Sequence, residues 1–411
     1  MKERPLRKGI SLYPGLGRSR SEMSCRLRQA ADLGYTDLFL SFHIPETDET
    51  AFADQVETLL QQAAALGFRT IGDLVPGKPV PELLTHLRLD DGFTPEDMAC
   101  LQKKYPAKTL VLNASAVREG QLQAMEDAGV VLSRVEALHN FYPHPHTGLA
   151  EAWFKRQNDL LHRYGIPAGV FIASHAGRRG PLFAGLPTLE KDRYRPAALS
   201  AWHALLLGAD ALFFGDDGPT EEELGALARV EPDIVTLDLV TEQRTPLHAI
   251  LETHIYETRP DEAEEVIRTT NSRKLWHDIP LPADRTIKKT SAGSWQPAAN
   301  TSCSACPTTV ASATVPLPYG EDNRVAPVGG EGRMFQHPAR GQAAQSPSSL
   351  LSAGTVTLDT DDYGRYKGEL EITLTELPPD SRTLVLGRIP AEELFLLPYL
   401  RGGRKFRFCL N

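Results

Sequence analysis

Short apolar runs alternate with amphipathic segments eight times through residue 229, and no other feature of the chain limits its fold so strongly. Runs at 8–13, 36–42, 69–75, 86–90, 108–113, 130–138, 168–174 and 210–215 read as strands. Segments near 19–33, 50–66, 79–85, 94–104, 117–128, 148–163, 195–207 and 219–229 read as helices. Each strand is too short to be a helix, and each helix is long enough to cross back over a sheet. Strands that alternate with helices pair in parallel through right-handed crossovers. Eight such units fit a closed (β/α)8 barrel, the TIM barrel. The competing arrangement is an open doubly wound sheet, which usually has fewer strands and a glycine-rich turn after the first. Here that turn is Tyr13-Pro14-Gly15-Leu16-Gly17, which does not match G-x-G-x-x-G.

With 411 residues the chain exceeds one ordinary domain. A net charge of −9 offers no broad footprint for nucleic acid or an anionic membrane. It leaves room for a small anionic substrate in a local basic pocket. The basic N-terminal stretch lacks an apolar run of signal-peptide length, and no segment approaches a membrane span. Five cysteines are few and odd in number, so no disulfide framework is expected. Cys303 and Cys306 form a lone C-x-x-C with no second pair, which argues against a zinc site. A cytoplasmic protein without metal or cofactor is the expectation.

In this barrel the chemistry belongs at the C-terminal ends of the strands. Those ends carry His43 and Glu46 (strand two), Asp73 (three), Asp90 and Asp91 (four), and Asn113 and Ser115 (five). Strand six ends in His139 and Asn140, followed by Phe141 and Tyr142. Strand seven ends in Ser174 and His175, and strand eight in Asp216. Aspartate and asparagine also cap helices and shape turns, and Asp91 and Asp217 read equally well that way. Asp73 and Asp90 sit where a side chain faces the barrel mouth. The long loop at 175–194 carries Arg178, Arg179, Arg193 and Glu190. Phosphate sites in this fold often lie in the loops after strands seven and eight, so a phosphorylated ligand is reasonable. His139, His144 and His146 lie close in sequence, but no carboxylate stands at ligand spacing. No nucleophile elbow, Walker loop or H-E-x-x-H is present. Carboxylate chemistry remains, and glycoside hydrolysis is its common form on barrels.

The stretches GISLYPG, SFHIPE, HLRLDDGF, LNAS, HNFYPHPHTGL and GPLFAGLPTLEKDR resemble, in order, those of the MupG-type 6-phospho-N-acetylmuramidases. The resemblance implies a barrel followed by a small cyclophilin-like β domain. It implies cytoplasmic cleavage, in cell-wall recycling, of a disaccharide with N-acetylmuramic acid 6-phosphate at its non-reducing end. It carries Glu46, Asp90, Asn113, His139, Asn140, Tyr142 and Glu190 over as site residues. Asp192 stands where histidine is more usual, and Gly15 where glutamate is.

The expected division is 1–232 for the barrel and 233–411 for the β domain. Strand-like runs lie at 233–240, 249–258 and several places in 354–408. Arg365, Tyr366, Gly368 and Glu369 keep the family's RY-x-GE pattern, and Tyr363, Arg365 and Tyr366 are placed to close over the mouth. Residues 288–350 lack either period and are rich in Ala, Ser, Thr, Pro and Gly. They read as a disordered insert or an out-of-frame stretch, with family likeness resuming near Gly354.

The resulting expectation is hydrolysis by two carboxylates, Asp90 and Glu190, with Asp73 and Glu46 as alternates. Asn113, His139, Asn140 and Tyr142 would orient the sugar, and Arg178, Arg179 or Arg193 would face its phosphate or lactyl carboxylate. The rival readings are a non-catalytic sugar-phosphate binder and another phosphosugar barrel enzyme.

Overall fold

The computed structural model describes residues 5–42, 44–74, 79–90, 92–281 and 350–410. Eight parallel strands close into a barrel: β1 (Arg7–Leu12), β2 (Asp37–Leu40), β3 (Arg69–Asp73), β4 (His86–Leu89), β5 (Thr109–Asn113), β6 (Val135–Leu138), β7 (Ala168–Ile172) and β8 (Ala211–Phe214). β1 pairs with both β2 and β8, which closes the ring. Outside it lie α1 (Arg20–Asp32), α2 (Glu49–Ala65), α3 (Pro95–Lys104), α4 (Glu119–Asp127), α5 (Glu151–Arg163), α6 (Ala197–Leu206) and α7 (Glu221–Ala228).

Local chemistry sets the helix starts. Ser19 with Glu22, Thr94 with Asp97 and Thr220 with Glu223 each form a capping box, which satisfies amides that the first turn leaves unpaired. The helix expected near 79–85 is absent, and those residues form turns. The segment holds Pro79 and Pro81 within a few residues, too few to propagate a helix. The expected strand at 130–138 is shorter, because Leu132–Arg134 make a single 3-10 turn before β6.

The barrel interior is packed rather than open. Phe39, Ile71, Val111, Leu138, Phe171 and Phe213 fill it from β2, β3, β5, β6, β7 and β8. Gly9 is required there, since a Cβ would fall inside the Phe213 ring. At the N-terminal end, Arg7 and Arg69 bind Glu136 at 2.6 and 3.4 Å, and Arg69 binds the buried Asp37 at 3.0 Å. Burial pushes the Asp37 carboxyl up to about 6, against the pull of Arg7. The strand-end reading did not extend to this end, so the charged floor is an addition from the structure.

Beyond the barrel lie β9 (Ile234–Leu239), α8 (Pro246–Thr253), β10 (Tyr256–Glu257), β11 (Val266–Arg268), α9 (Ser272–Trp276), β12 (Thr355–Asp359), β13 (Leu370–Thr373), β14 (Thr383–Arg388) and β15 (Lys405–Leu410). They form a three-stranded sheet, β10-β15-β9, and a four-stranded antiparallel sheet, β11-β13-β12-β14. Isolated bridges Val240–Arg388 and Thr258–Thr269 join the two sheets at both edges, so the strands complete a ring around a second core. Of the stretch 249–258, expected to be strand, only Tyr256–Glu257 with the Thr258 bridge are extended, and the first half is the end of α8. Pro246 at its first turn and the Thr245 cap start a helix that overrides the β-branched residues. Leu199, Trp202 and Leu206 of α6 pack into this second core, so the two units share a buried seam. The anomalous composition at 288–350 falls outside the described residues, apart from Leu350. Cys303, Cys306, His43 and Asp91 also lie outside them.

Candidate functional site

The mouth of the barrel has an aromatic floor. Phe141 meets Tyr13, Phe39 and Phe171 edge-on, at centroid distances of 6.3, 6.3 and 5.1 Å. Over this floor lies Arg179, its guanidinium 4.6 Å from the Tyr13 ring and 5.8 Å from Phe141. The Arg179 Nε is buried and has no hydrogen-bond partner among the described residues. Asp216, wholly buried, sets this loop by accepting three backbone N–H bonds, from Ser174, Arg179 and Leu186, at 2.9, 3.0 and 3.1 Å.

Arg88 organises the acidic side of the mouth, and reading strand ends alone overlooked it. It shares the inward parity of Asp90, two residues on and just past the end of β4, and its side chain is 3% exposed. Its guanidinium donates to both Asp90 oxygens, at 3.2 and 3.4 Å. It also donates to the carbonyls of Leu138 and His139, at 3.1 and 3.2 Å, and to Asn140 Oδ1. Asp90 itself is open to solvent, with 41% of its side chain exposed. Asn140 has its oxygen committed to Arg88, its N–H to Ser115 Oγ and its carbonyl to Thr188 Oγ1. Among the described residues, its amide nitrogen is the group left to meet a ligand.

Asp73 is buried on β3, where its Cα is paired with that of Arg88. It accepts the Ser41 hydroxyl at 2.6 Å and the Phe42 N–H at 2.5 Å. Asn113 makes a turn by accepting Ser115 N–H at 3.1 Å. Glu46 is exposed on the turn after β2, beside Ile44, which packs on the interior cluster. Tyr142 is half-buried, and its backbone is bonded to Pro187 and Arg193. Arg178 is half-buried, donates to Ser174 O at 3.0 Å and lies 5.2 Å over the Tyr194 ring.

Five of the expected site residues have other surroundings. His139 does not face the mouth. Leu138 and Asn140 take the inward positions, so His139 turns outward, fully buried against Phe154. There it bonds Asn158 at 3.0 Å and Ser115 at 3.2 Å. Arg193 is also fully buried, and its nitrogens are spent on Glu190 and on the carbonyls of Tyr142, Gly185 and His144. It cannot reach a phosphate. Glu190 accepts Arg193 at 2.8 and 2.6 Å and the N–H groups of His146 and Gly148 at 2.8 Å each. This fork ties the 143–149 loop to the 186–193 loop. The Arg193 bonds lead in holding the Glu190 carboxyl down at about 2, so it is not a proton donor near neutral pH. Arg365 donates to the Tyr366 hydroxyl, and Arg273 lies 4.9 Å over that ring. Both contacts lie within the C-terminal unit, and among the described residues neither Arg365 nor Tyr366 is bonded to a residue of the barrel mouth.

The buried imidazole makes stability depend on pH. Desolvation lowers the His139 pKa to about 4, below its ordinary 6.5. Between those values the unfolded chain binds a proton that the folded chain refuses. Stability is therefore complete above about pH 6.5 and falls as pH drops toward 4, by up to about 3 kcal/mol. The urea midpoint should decrease from pH 7 to pH 5, and His139→Gln should flatten that dependence. An unchanged slope in His139→Gln would place the titration elsewhere.

Among the described residues, no three His, Cys, Asp or Glu side chains are arranged to hold a metal ion, and no helix is long and apolar enough to cross a membrane.

Two family models match the chain. The N-terminal model of 6-phospho-N-acetylmuramidase covers residues 8–229, more than half of the sequence. The chain belongs to the 6-phospho-N-acetylmuramidase family. The C-terminal model of the same family covers 331–409, so family likeness resumes well before Gly354. Membership makes the chain a glycosidase by family, with a phosphorylated sugar as its substrate class. None of the curated proteins matches it significantly. The crystal structure of an uncharacterized B. cereus protein has 23% identity and a TM-score of 0.75, over 99% of this chain and 100% of that one. A conserved protein of unknown function from Enterococcus faecalis has 24% identity and a TM-score of 0.62, over 98% of this chain and 96% of that one. Both likenesses show the fold of this 6-phospho-N-acetylmuramidase family member across both units.

Proposed function

We propose that this 6-phospho-N-acetylmuramidase family member hydrolyses a disaccharide bearing N-acetylmuramic acid 6-phosphate at its non-reducing end. The reading is supported above all by the Arg88-centred cluster of Asp90 and Asn140 beside Asp73, at the C-terminal end of the barrel. Asp73 stands opposite Arg88, and Asp90 is two residues further along the next strand. Strand spacing and rise then put the two aspartate Cα atoms about 8 Å apart, a distance that leaves space for a glycosidic bond between their carboxyls.

Asp90, paired with a guanidinium, suits the nucleophile, or the base toward water. Asp73 donates its proton to the glycosidic oxygen as the C1–O bond breaks. Asn140, Asn113 and Tyr142 orient hydroxyl and acetamido groups. Arg179, with Arg178 behind it, meets the phosphate or the lactyl carboxylate. Glu190 and Arg193 shape the loops instead of touching the reacting atoms, and Glu46 borders the entrance. The reaction fits recycling of peptidoglycan in the cytoplasm. The seven-stranded ring is read as cyclophilin-like, with the boundary between units at 232/233.

A chromogenic 6-phosphorylated N-acetylmuramic acid glycoside tests the reading. Release of the aglycone, at least about a hundredfold faster than from the unphosphorylated glycoside, is expected. Binding without release would favour a non-catalytic phosphosugar binder. Asp73→Asn should lose turnover of a poor leaving group yet keep most activity on a dinitrophenyl aglycone, which departs without protonation. Glu190→Gln should cut kcat/KM by only about tenfold, by loosening two loops. A loss as deep as that of an aspartate variant would return Glu190 to the chemistry.

A further inference from the structure

We propose that the turn Leu394–Tyr399 of the C-terminal unit is a positioning element for the barrel mouth, with Phe395 and Tyr399 as its positioning residues. The kinetic arm of the test rests on the function proposed above, but the structural arm does not.

The turn grips the far side of the loop that holds the site. Tyr399 donates to Glu151 Oε2 at 2.9 Å, and Lys191 reaches the same oxygen at 3.0 Å. Glu151 Oε1 lies 3.3 Å from His203 Nε2, without the alignment of a hydrogen bond. The other ring nitrogen of His203 lies 2.9 Å from each Asp192 oxygen. Arg195 binds Asp192 at 2.8 Å and stacks 3.4 Å from the Phe395 ring centre. Phe395 and Tyr399 also flank the His203 ring, at 5.4 and 5.2 Å.

His203 and Asp192 are 0% and 2% exposed. Ionisable groups so deeply covered stay in place only when paired, and the cover here comes from the C-terminal turn. Lys191, Asp192 and Arg195 belong to the same short segment as Pro187, Thr188, Glu190 and Arg193. From that segment Thr188 holds the Asn140 carbonyl at 2.8 Å, Pro187 accepts the Tyr142 N–H at 2.9 Å and Arg193 holds the Tyr142 carbonyl at 2.9 Å. One side of the segment is fixed by the C-terminal unit, and the other fixes two residues of the mouth. A seam that served only to join two domains would need no contact with this segment.

The experiment uses the full chain with Tyr399→Phe, which removes only the hydroxyl bond, and Phe395→Leu, which removes the ring beneath Arg195 and beside His203. Amide exchange read by mass spectrometry should speed up about tenfold in peptides covering 140–149 and 186–195, with the β1–β5 side of the barrel unchanged. With the chromogenic glycoside, kcat should fall by a similar factor, measured well below the unfolding temperature, with KM moving less. Exchange unchanged in those peptides, with only a lower Tm, would overturn the proposal. Either variant alone decides it if the other fails to fold. Absence of turnover in the wild-type chain would refute the function but leave the exchange result to decide the clamp.

Discussion

Asp90→Asn is expected to lower kcat on the 6-phosphorylated glycoside by at least about a thousandfold, while ligand affinity stays within a few-fold. The substitution keeps the shape of the side chain and one oxygen for Arg88 to bind, at the 3.2 Å position that Asp90 Oδ1 now fills. It removes the negative charge and the lone pair that would attack C1 or draw a proton from water. The side chain is 41% exposed, so the change has little effect on packing and the fold should remain stable. The loss should therefore appear in kcat with an unchanged Tm. A variant that keeps a tenth of the wild-type rate would show that Asp90 only borders the cavity.

Arg88→Met should have the second largest effect, and it should touch stability and activity together. The guanidinium is inside the barrel, and its removal leaves the carbonyls of Leu138 and His139 and the Asn140 amide oxygen without their donor. Buried acceptors without partners cost about 1–3 kcal/mol each, partly recovered by relaxation, so a net loss of about 3 kcal/mol is expected. Asp90 and Asn140 would also lose their common anchor. Misplacement by about an ångström is worth roughly a hundredfold in rate. Arg88→Lys should recover little, because an ammonium cannot fork between Asp90 and three other acceptors. Urea unfolding and steady-state kinetics on both variants measure the two effects separately. A lysine variant with near wild-type kinetics would mean that charge alone, not the fork, is needed.

The barrel was legible because period and order are local properties. Apolar runs of strand length recur eight times and amphipathic helices follow seven of them, and Ser19, Thr94 and Thr220 mark helix starts in plain sequence. The site was legible only where strand parity decides it. Applied to β6, the two-residue period that turns Leu138 and Asn140 inward turns His139 outward, and the same rule on β4 brings Arg88 in with Asp90. Reading strand ends as a set, without parity, included His139 and omitted Arg88. Glu190 and Arg193 were beyond sequence. Their spacing fits a short turn, but the partners that consume them, the His146 and Gly148 amides and the Tyr142 and Gly185 carbonyls, come from a distant loop or a chain reversal. The helix at α8 was missed because a first-turn proline outweighed its β-branched residues.

The central claim is that Asp73 and Asp90 share one cavity with the scissile bond, and that Arg179 meets the acidic end of the sugar. A crystal structure of Asp90→Asn bound to the intact 6-phosphorylated disaccharide tests it most directly. The account predicts the glycosidic oxygen within hydrogen-bonding distance of Asp73, C1 facing position 90, and the phosphate or lactyl carboxylate against Arg179. A disaccharide seated away from the β3 and β4 ends, with Asp73 still turned wholly toward Ser41 and Phe42, would contradict it.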